Sequence, residues 1–249
     1  QRDTHSHTGN DVESLTFKSI PLVDEADPAL TEATEPIFKF EPARKYFLKS
    51  MEYLNKAKEY YVLDGHVSTH WEILQEMGNL YLDLITFEDS PTRKCQMHKR
   101  RANLLEPIVT QLNAQHYLPI LLQASFTLGE IYNQMVDIKA TQMETSGKSA
   151  KKIEKHNKLI MKSIKYFRMY FKLLEGNQPD VIDPEQLEAW VIGHLSVARL
   201  FSRLITNDLQ TKAKNLQESL KEHEIIVQYD KKHNISVLRT EVDIASEMV

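Results

Sequence analysis

Few side chains in this sequence are spaced for chemistry. Gly147-Lys148-Ser149 ends like a phosphate-binding loop, but that loop needs glycine at position 142, where Gln142 stands, and a preceding strand that is absent. Nucleotide binding is therefore not expected. Cys95-x-x-His98 puts two metal-ligating groups on one helical face. Structural zinc takes four ligands, and no second pair has suitable spacing, so this pair reads as core packing. His5-x-His7 lies in a polar stretch and is given no role, and His194 and His223 fall on apolar stripes, as hydrogen-bonded core histidines do. Asp and Glu are scattered over helical surfaces without convergence, so the sequence predicts neither catalysis nor a cofactor.

Charge is more informative. Lys148, Lys151, Lys152, Lys155, Lys158, Lys162 and Lys165 form one basic face, and Lys99-Arg100-Arg101 a second cluster. The first reading is a solvated face, and the second is contact with an acidic protein surface. Aromatic residues are not interleaved for base stacking, which disfavours nucleic acid. Residues 1–41 hold nine acids against Arg2, Lys18 and Lys39, a net of −6. With −4 overall, the remainder carries +2. With Pro21, Pro28 and many Ser and Thr, this segment reads as a flexible acidic linker ahead of a nearly neutral body.

The 249 residues are 41% hydrophobic and include only seven glycines, with no alternating Val/Ile/Thr runs. That composition predicts an all-α protein. A single cysteine, Cys95, fits a reducing, cytoplasmic compartment. No apolar run nears the ~18 residues of a spanning helix, so no membrane insertion is expected. A first residue of Gln rather than Met, and a last helix without a stop signal, point to a fragment or a processed chain.

Apolar periodicity of three and four predicts eight helices. The first runs from Pro42 to Leu63, burying Phe47, Ser50, Leu54, Ala57 and Tyr61, and ends at the Asp64-Gly65 cap. The second spans Val67–Phe87. The third starts at Pro91 and stops or kinks at Glu106-Pro107. The fourth follows Asn113 to about Met143, with Pro119 in or near its first turn. The fifth runs Ser149–Glu175 and closes at Gly176-Asn177-Gln178-Pro179. The sixth follows the Asp183-Pro184 cap to about Thr206. The seventh spans Thr211–Lys232, burying Leu216, Ser219, Leu220, His223, Ile226 and Val227, and the last begins near Ser236.

A repeat underlies these helices. Leu74-x-x-Met77-Gly78-x-x-Tyr81 and Ser125-x-x-Leu128-Gly129-x-x-Tyr132 match the first half of the tetratricopeptide signature. Cys95, Ala102 and Pro107 fall at second-half spacing. His194-x-x-Val197-Ala198-x-x-Phe201, followed by Ser219 and Ile226, is a weaker copy. Spacings stretched by roughly 5, 22 and 9 residues make the copies degenerate. The expected fold is a tetratricopeptide-like right-handed α-solenoid of about eight antiparallel helices, with an unrelated helical bundle as the alternative. Ser50, Leu54 and Ala57 look like a second helix without its first, which implies missing upstream repeats.

Several longer strings carry a resemblance: Ala57-Lys58-Glu59-Tyr60-Tyr61-Val62-Leu63-Asp64-Gly65-His66-Val67, Glu72-Ile73-Leu74-Gln75, Lys94-Cys95-Gln96-Met97-His98-Lys99-Arg100-Arg101, Leu105-Glu106-Pro107 and Val197-Ala198-Arg199-Leu200. In these the chain, from about residue 42 to 249, resembles the carboxy-terminal half of the KIF-binding (kinesin-binding) protein family. The acidic segment 1–35 does not contribute, and the chain stops short of the family's carboxy terminus. The resemblance implies a noncatalytic, cytoplasmic, cytoskeleton-associated solenoid. It would bind kinesin motor domains, block their attachment to microtubules, and regulate axonal transport and spindle function in neuronal development. Other cytoskeletal proteins are further candidate partners.

In tetratricopeptide stacks the first helix of each pair lines the concave groove. That geometry selects Glu72, Gln75, Asn79 and Asp83, then Gln123, Glu130, Asn133 and Gln134, and finally Arg199, Ser202 and Arg203, with plain solvent exposure as the bland alternative. Acidic and amide groups there would suit a basic microtubule-binding surface. Two other readings stand beside this one. In one, the chain is the structural half of a solenoid whose motor contacts lie upstream. In the other, it is a binder of tubulin tails or another acidic ligand through the lysine face. The linker either loops between two halves of the solenoid or occupies the groove.

Overall fold

The structure is a computed structural model that describes residues 38–176, 181–235 and 239–249. The expected linker, 1–41, lies almost wholly outside the described residues, as do Gln178-Pro179 and Ser236. Residues 38–249 form one unit. Its elements are α1 (Phe40–Tyr60), α2 (Val67–Thr86), α3 (Pro91–Leu105), a single turn α4 (Ile108–Gln111), α5 (Ala114–Ser146), α6 (Ala150–Glu175), α7 (Pro184–Ser202), α8 (Leu209–His233) and α9 (Arg239–Met248). Among the described residues there is no strand.

Local signals set most boundaries. Pro91 opens α3. Asn113 accepts from the Gln115 amide at 2.9 Å to cap α5, and Asp183 does the same for the Glu185 amide ahead of Pro184. Pro119 leaves Tyr117 non-helical (φ −128°, ψ 33°), so α5 is kinked in its first turns. Pro107 stops α3, as expected. Several boundaries differ: α1 starts at Phe40 rather than Pro42, α5 runs on to Ser146, and α7 stops at Ser202 rather than near Thr206. α1 ends at Tyr60, and Gly65, at φ +90°, shapes the following loop rather than capping the helix. α8 starts earlier than Thr211 because Asp208 accepts from the Thr211 amide at 2.8 Å.

Helices pack as successive pairs, α2 on α3, α5 on α6 and α7 on α8, with α3 against α5 and α6 against α7. This is a helical solenoid in which small residues of the signature make two of the joints, whereas a Cβ on Gly78 would meet nothing within 4 Å. A Cβ on Gly129 would lie 2.9 Å from the Phe167 ring, and the Gly129 carbonyl accepts from Ser163 Oγ at 2.7 Å. The weaker copy repeats that contact: the Ala198 carbonyl accepts from Ser219 Oγ at 2.8 Å. Two cores follow. One joins α2, α3 and α5 around Trp71, Met77, Ala102, Leu128 and Tyr132. The other joins α6, α7 and α8 around Ile164, Phe167, Trp190, Leu200 and Ile226.

Burial departs from expectation at the edges. α1 has no fully buried residue, because it packs mainly on α2, with only Phe40 reaching Arg93 of α3, and its predicted stripe is half-buried. Leu216 and Leu220, predicted buried, are 49% and 37% exposed, because among the described residues nothing packs over that side of α8.

Candidate functional site

The first helix of each pair, α2, α5 and α7, carries two clefts that flank α5. One, of ≈ 320 Å³, lies between α2 and α5 and is lined by Trp71, Gln75, Asn79, Gln123, Glu130 and, from α3, Arg101. The other, of ≈ 570 Å³, lies between α5 and the start of α7. Its apolar floor includes Leu118, Leu122 and Phe126, and its α7 side carries Asp183, Glu185 and Gln186. Gln123 and Thr127 line both, so the clefts share one wall. Trp71 Nε1 donates to Gln123 Oε1 at 3.3 Å and holds that wall to α2.

Arg101 is the buried charge of the first cleft, only 7% exposed. Its Nη1 donates to His98 Nδ1 at 3.2 Å and to Gln134 Oε1 at 3.1 Å, while Nε has no partner among the described residues. Burial lowers the Arg101 pKa and the nearby Glu130 charge pulls it back up. Glu130 is itself raised by burial and lowered by Arg101. Burial, then the charges of Arg101 and Lys94, push His98 down to about 4, so its ring is neutral and Nδ1 accepts the hydrogen bond from Arg101.

Of the residues expected on the concave face, the structure brings Gln75, Asn79, Gln123 and Glu130 to one cleft and puts Gln134 on Arg101. Glu72 and Asp83 are exposed on α2 but do not line it. Asn133 is half-buried, with an Oδ1 that has no partner among the described residues. The α7 trio lies elsewhere: Arg203 pairs with Asp137 of α5 at 2.6 Å, Ser202 Oγ donates to the Arg199 carbonyl, and Arg199 is exposed. Sequence reasoning missed Arg101 by grouping it with Lys99 and Arg100. At ~100° per residue, positions 99 and 101 lie about 200° apart on a helix, and that was the available signal.

Lys99 points the other way, to a polar hub. Glu106 Oε1 accepts from the Tyr132 hydroxyl at 2.5 Å and from Tyr166 at 3.3 Å, and Lys162 lies 3.4 Å away. Lys99 reaches Glu106 Oε2 at 3.3 Å, and both lysines donate to the Tyr132 hydroxyl at 3.0 Å. Burial raises the Glu106 pKa, but the Tyr132 hydroxyl and the two ammonium groups outweigh it and hold the carboxyl below its ordinary value. The Tyr132 hydroxyl is raised by burial and then by Glu106. Cys95 and His98 are buried in packing, and among the described residues no cluster could hold a metal ion. His194 donates from Nδ1 to Glu222 at 2.6 Å, as a hydrogen-bonded core histidine should. His223 is buried too, but its Nδ1 is unpartnered among the described residues.

Paired helices closed by small residues, with clefts along the first helix of each pair, define a helical-repeat solenoid with an open groove. The family model described as KIF-1 binding protein C terminal matches residues 4–249. The chain belongs to that family. A KIF-binding protein of Danio rerio is 37% identical over 242 residues, 95% of this chain and 38% of that protein, and one of Homo sapiens is 33% identical over 84% of this chain and 35% of that protein. The solved structure of a kinesin binding protein matches at TM-score 0.58 and 29% identity, over 82% of this chain and 43% of that one. The chain thus spans well under half the length of these relatives. The family match starts at residue 4, so the acidic segment lies within it, which corrects the expectation of a resemblance confined to 42–249.

Proposed function

We propose that the α2–α5–α7 face grips a kinesin motor domain and, by covering its track-binding surface, blocks attachment to microtubules and regulates kinesin-driven transport at the cytoskeleton. The action is steric and needs neither catalysis nor a cofactor. The observation that carries this reading is the double cleft in a chain of this family. Its apolar floor can seat side chains of a partner helix, and its acidic and amide walls complement a basic surface. α2 holds Glu72, Glu76 and Asp83 and no lysine or arginine. The test is the affinity of this chain for a panel of microtubule-free kinesin motor domains, before and after charge reversal of Glu72, Asp83 and Glu130 to Lys. The expected outcome is binding that microtubules compete away and that weakens at least tenfold on reversal. Binding that ignores the reversal would place the motor elsewhere on the molecule.

A second reading follows from length. Because the chain corresponds to 35–38% of relatives such as these, it can be the structural half of a solenoid whose motor contacts lie in other repeats. That reading predicts no motor binding by this chain alone, with or without the substitutions.

A further inference from the structure

The two basic clusters of the sequence meet in space. Lys99 of α3 and Lys162 of α6 converge on Glu106 and Tyr132, so the lysine row of α6 and the exposed edge of α3 form one surface, distinct from the clefts. On α3 only Lys99 turns to this side, since Arg101 faces the α2–α5 cleft and Arg93 pairs with Glu88 at 2.8 Å, whereas α6 holds eight basic residues against Glu154 and Glu175. Lys151, Lys155, Lys158, Lys162 and Lys165 fall within about 100° of helix circumference. Lys162 is committed to the hub. Lys151, Lys155, Lys158 and Lys165 are exposed, and no carboxylate lies within 4.0 Å of them among the described residues.

This arrangement opposes the stability of its own helix. Like charges recur at three- and four-residue spacing, where they repel. The first turn of α6 contains no acid, although Lys151 and Lys152 sit at the positive end of the helix dipole, and Ser149 provides no side-chain cap. A helix kept only for packing gains nothing from this pattern, since its apolar stripe is complete without it. The surface also lacks what other polyanions use. Tyr166 is buried under Lys165, with the ammonium 5.3 Å from the ring centroid, and offers no platform for a base. Among the described residues of α6, Met161 alone of the large apolar side chains is exposed, too little to enter a bilayer.

We infer that the α3–α6 surface docks an extended acidic peptide, whose carboxylates run along Lys151, Lys155, Lys158 and Lys165. From Lys151 to Lys165 the row is about 21 Å long, enough for about six extended residues. This inference is independent of the motor-binding proposal, since it uses the other face. The test is fluorescence anisotropy of a labelled twelve-residue Glu-rich peptide against the full chain at 150 mM salt. A twelve-residue single-stranded RNA and phosphatidylserine vesicles serve as rival probes. Saturable peptide binding is expected, weakening at least tenfold in the Lys151→Glu/Lys155→Glu/Lys158→Glu/Lys165→Glu variant and holding within twofold when Glu72, Asp83 and Glu130 are reversed. The four lysines are exposed and do not touch Glu106, and the corresponding Lys→Gln variant, checked by circular dichroism, covers any folding defect. Absence of peptide binding, peptide binding indifferent to both variants, or tighter binding of RNA or vesicles would overturn the inference.

Discussion

On the α3–α6 face the carboxylate of Glu106 sits between two lysines, Lys99 and Lys162. In the α2–α5 cleft a single guanidinium, Arg101, sits among amides and a carboxylate. Five positions apart at the end of α3, the two charges serve opposite faces, and they differ in how completely they are answered. Glu106 takes two tyrosine hydroxyls and two ammonium groups from α3, α5 and α6, so nothing is left for a partner. Arg101 makes its bonds through one terminal nitrogen, keeps an unpartnered Nε, and has no carboxylate within 4.0 Å among the described residues. A satisfied buried charge fixes a fold, and a partly satisfied one beside a cleft leaves capacity for something that enters.

The most damaging way to attack that comparison is Glu106→Ala. It leaves Lys99 and Lys162 repelling each other over the Tyr132 hydroxyl, and it should destabilise the chain by about 2–3 kcal/mol in urea unfolding. Arg101→Met, which replaces a partly answered cation with an apolar chain of similar length, should shift stability by about 1 kcal/mol or less. Reversed magnitudes would show that Arg101, not Glu106, is the structural charge.

A pH titration sharpens the same contrast. The His98 pKa of about 4 lies below the ordinary ~6.5, so between those values the unfolded chain binds more protons than the folded one. Stability is therefore full above about pH 6.5 and is lost as pH falls toward 4. The loss amounts to about 2–3 kcal/mol from His98, with His156 and His223 shifted the same way, first by burial. Glu130, raised by burial, offsets part of this at the acid end. Urea midpoints at pH 7.5 and 5 should separate clearly in the wild type and much less in His98→Gln. An equal separation in both would remove His98, and with it the neutral acceptor for Arg101, from the account.

Which parts were legible in the sequence follows from range. Pro91, Asn113, Pro119 and Asp183 act within a turn of themselves, and the helix boundaries they set were readable. Gly129 and Tyr132 were readable because the repeat fixes their spacing. Leu216 and Leu220 misled, because a periodic stripe reports that a helix has an apolar side but not that a neighbour covers it. The Glu106 hub was invisible, since its ligands come from positions 99, 132, 162 and 166 and only the packing of α3, α5 and α6 joins them. The cleft was half visible. Gln75, Asn79, Gln123 and Glu130 follow from helix order, while the second cleft depends on how the start of α7 meets the kinked start of α5.

The smallest expected effect concerns Arg101 and Glu130 together. Each feels the other's charge, yet no ion pair within 4.0 Å joins them among the described residues. A double-mutant cycle with Arg101→Met and Glu130→Gln should therefore return a coupling of about 0.5 kcal/mol in the unbound chain, near the value of a screened surface pair. Coupling of about 2 kcal/mol or more would mean that the two close on each other in solution. The cleft would then be occupied by its own ion pair, and an entering partner would have to break that pair before using either charge.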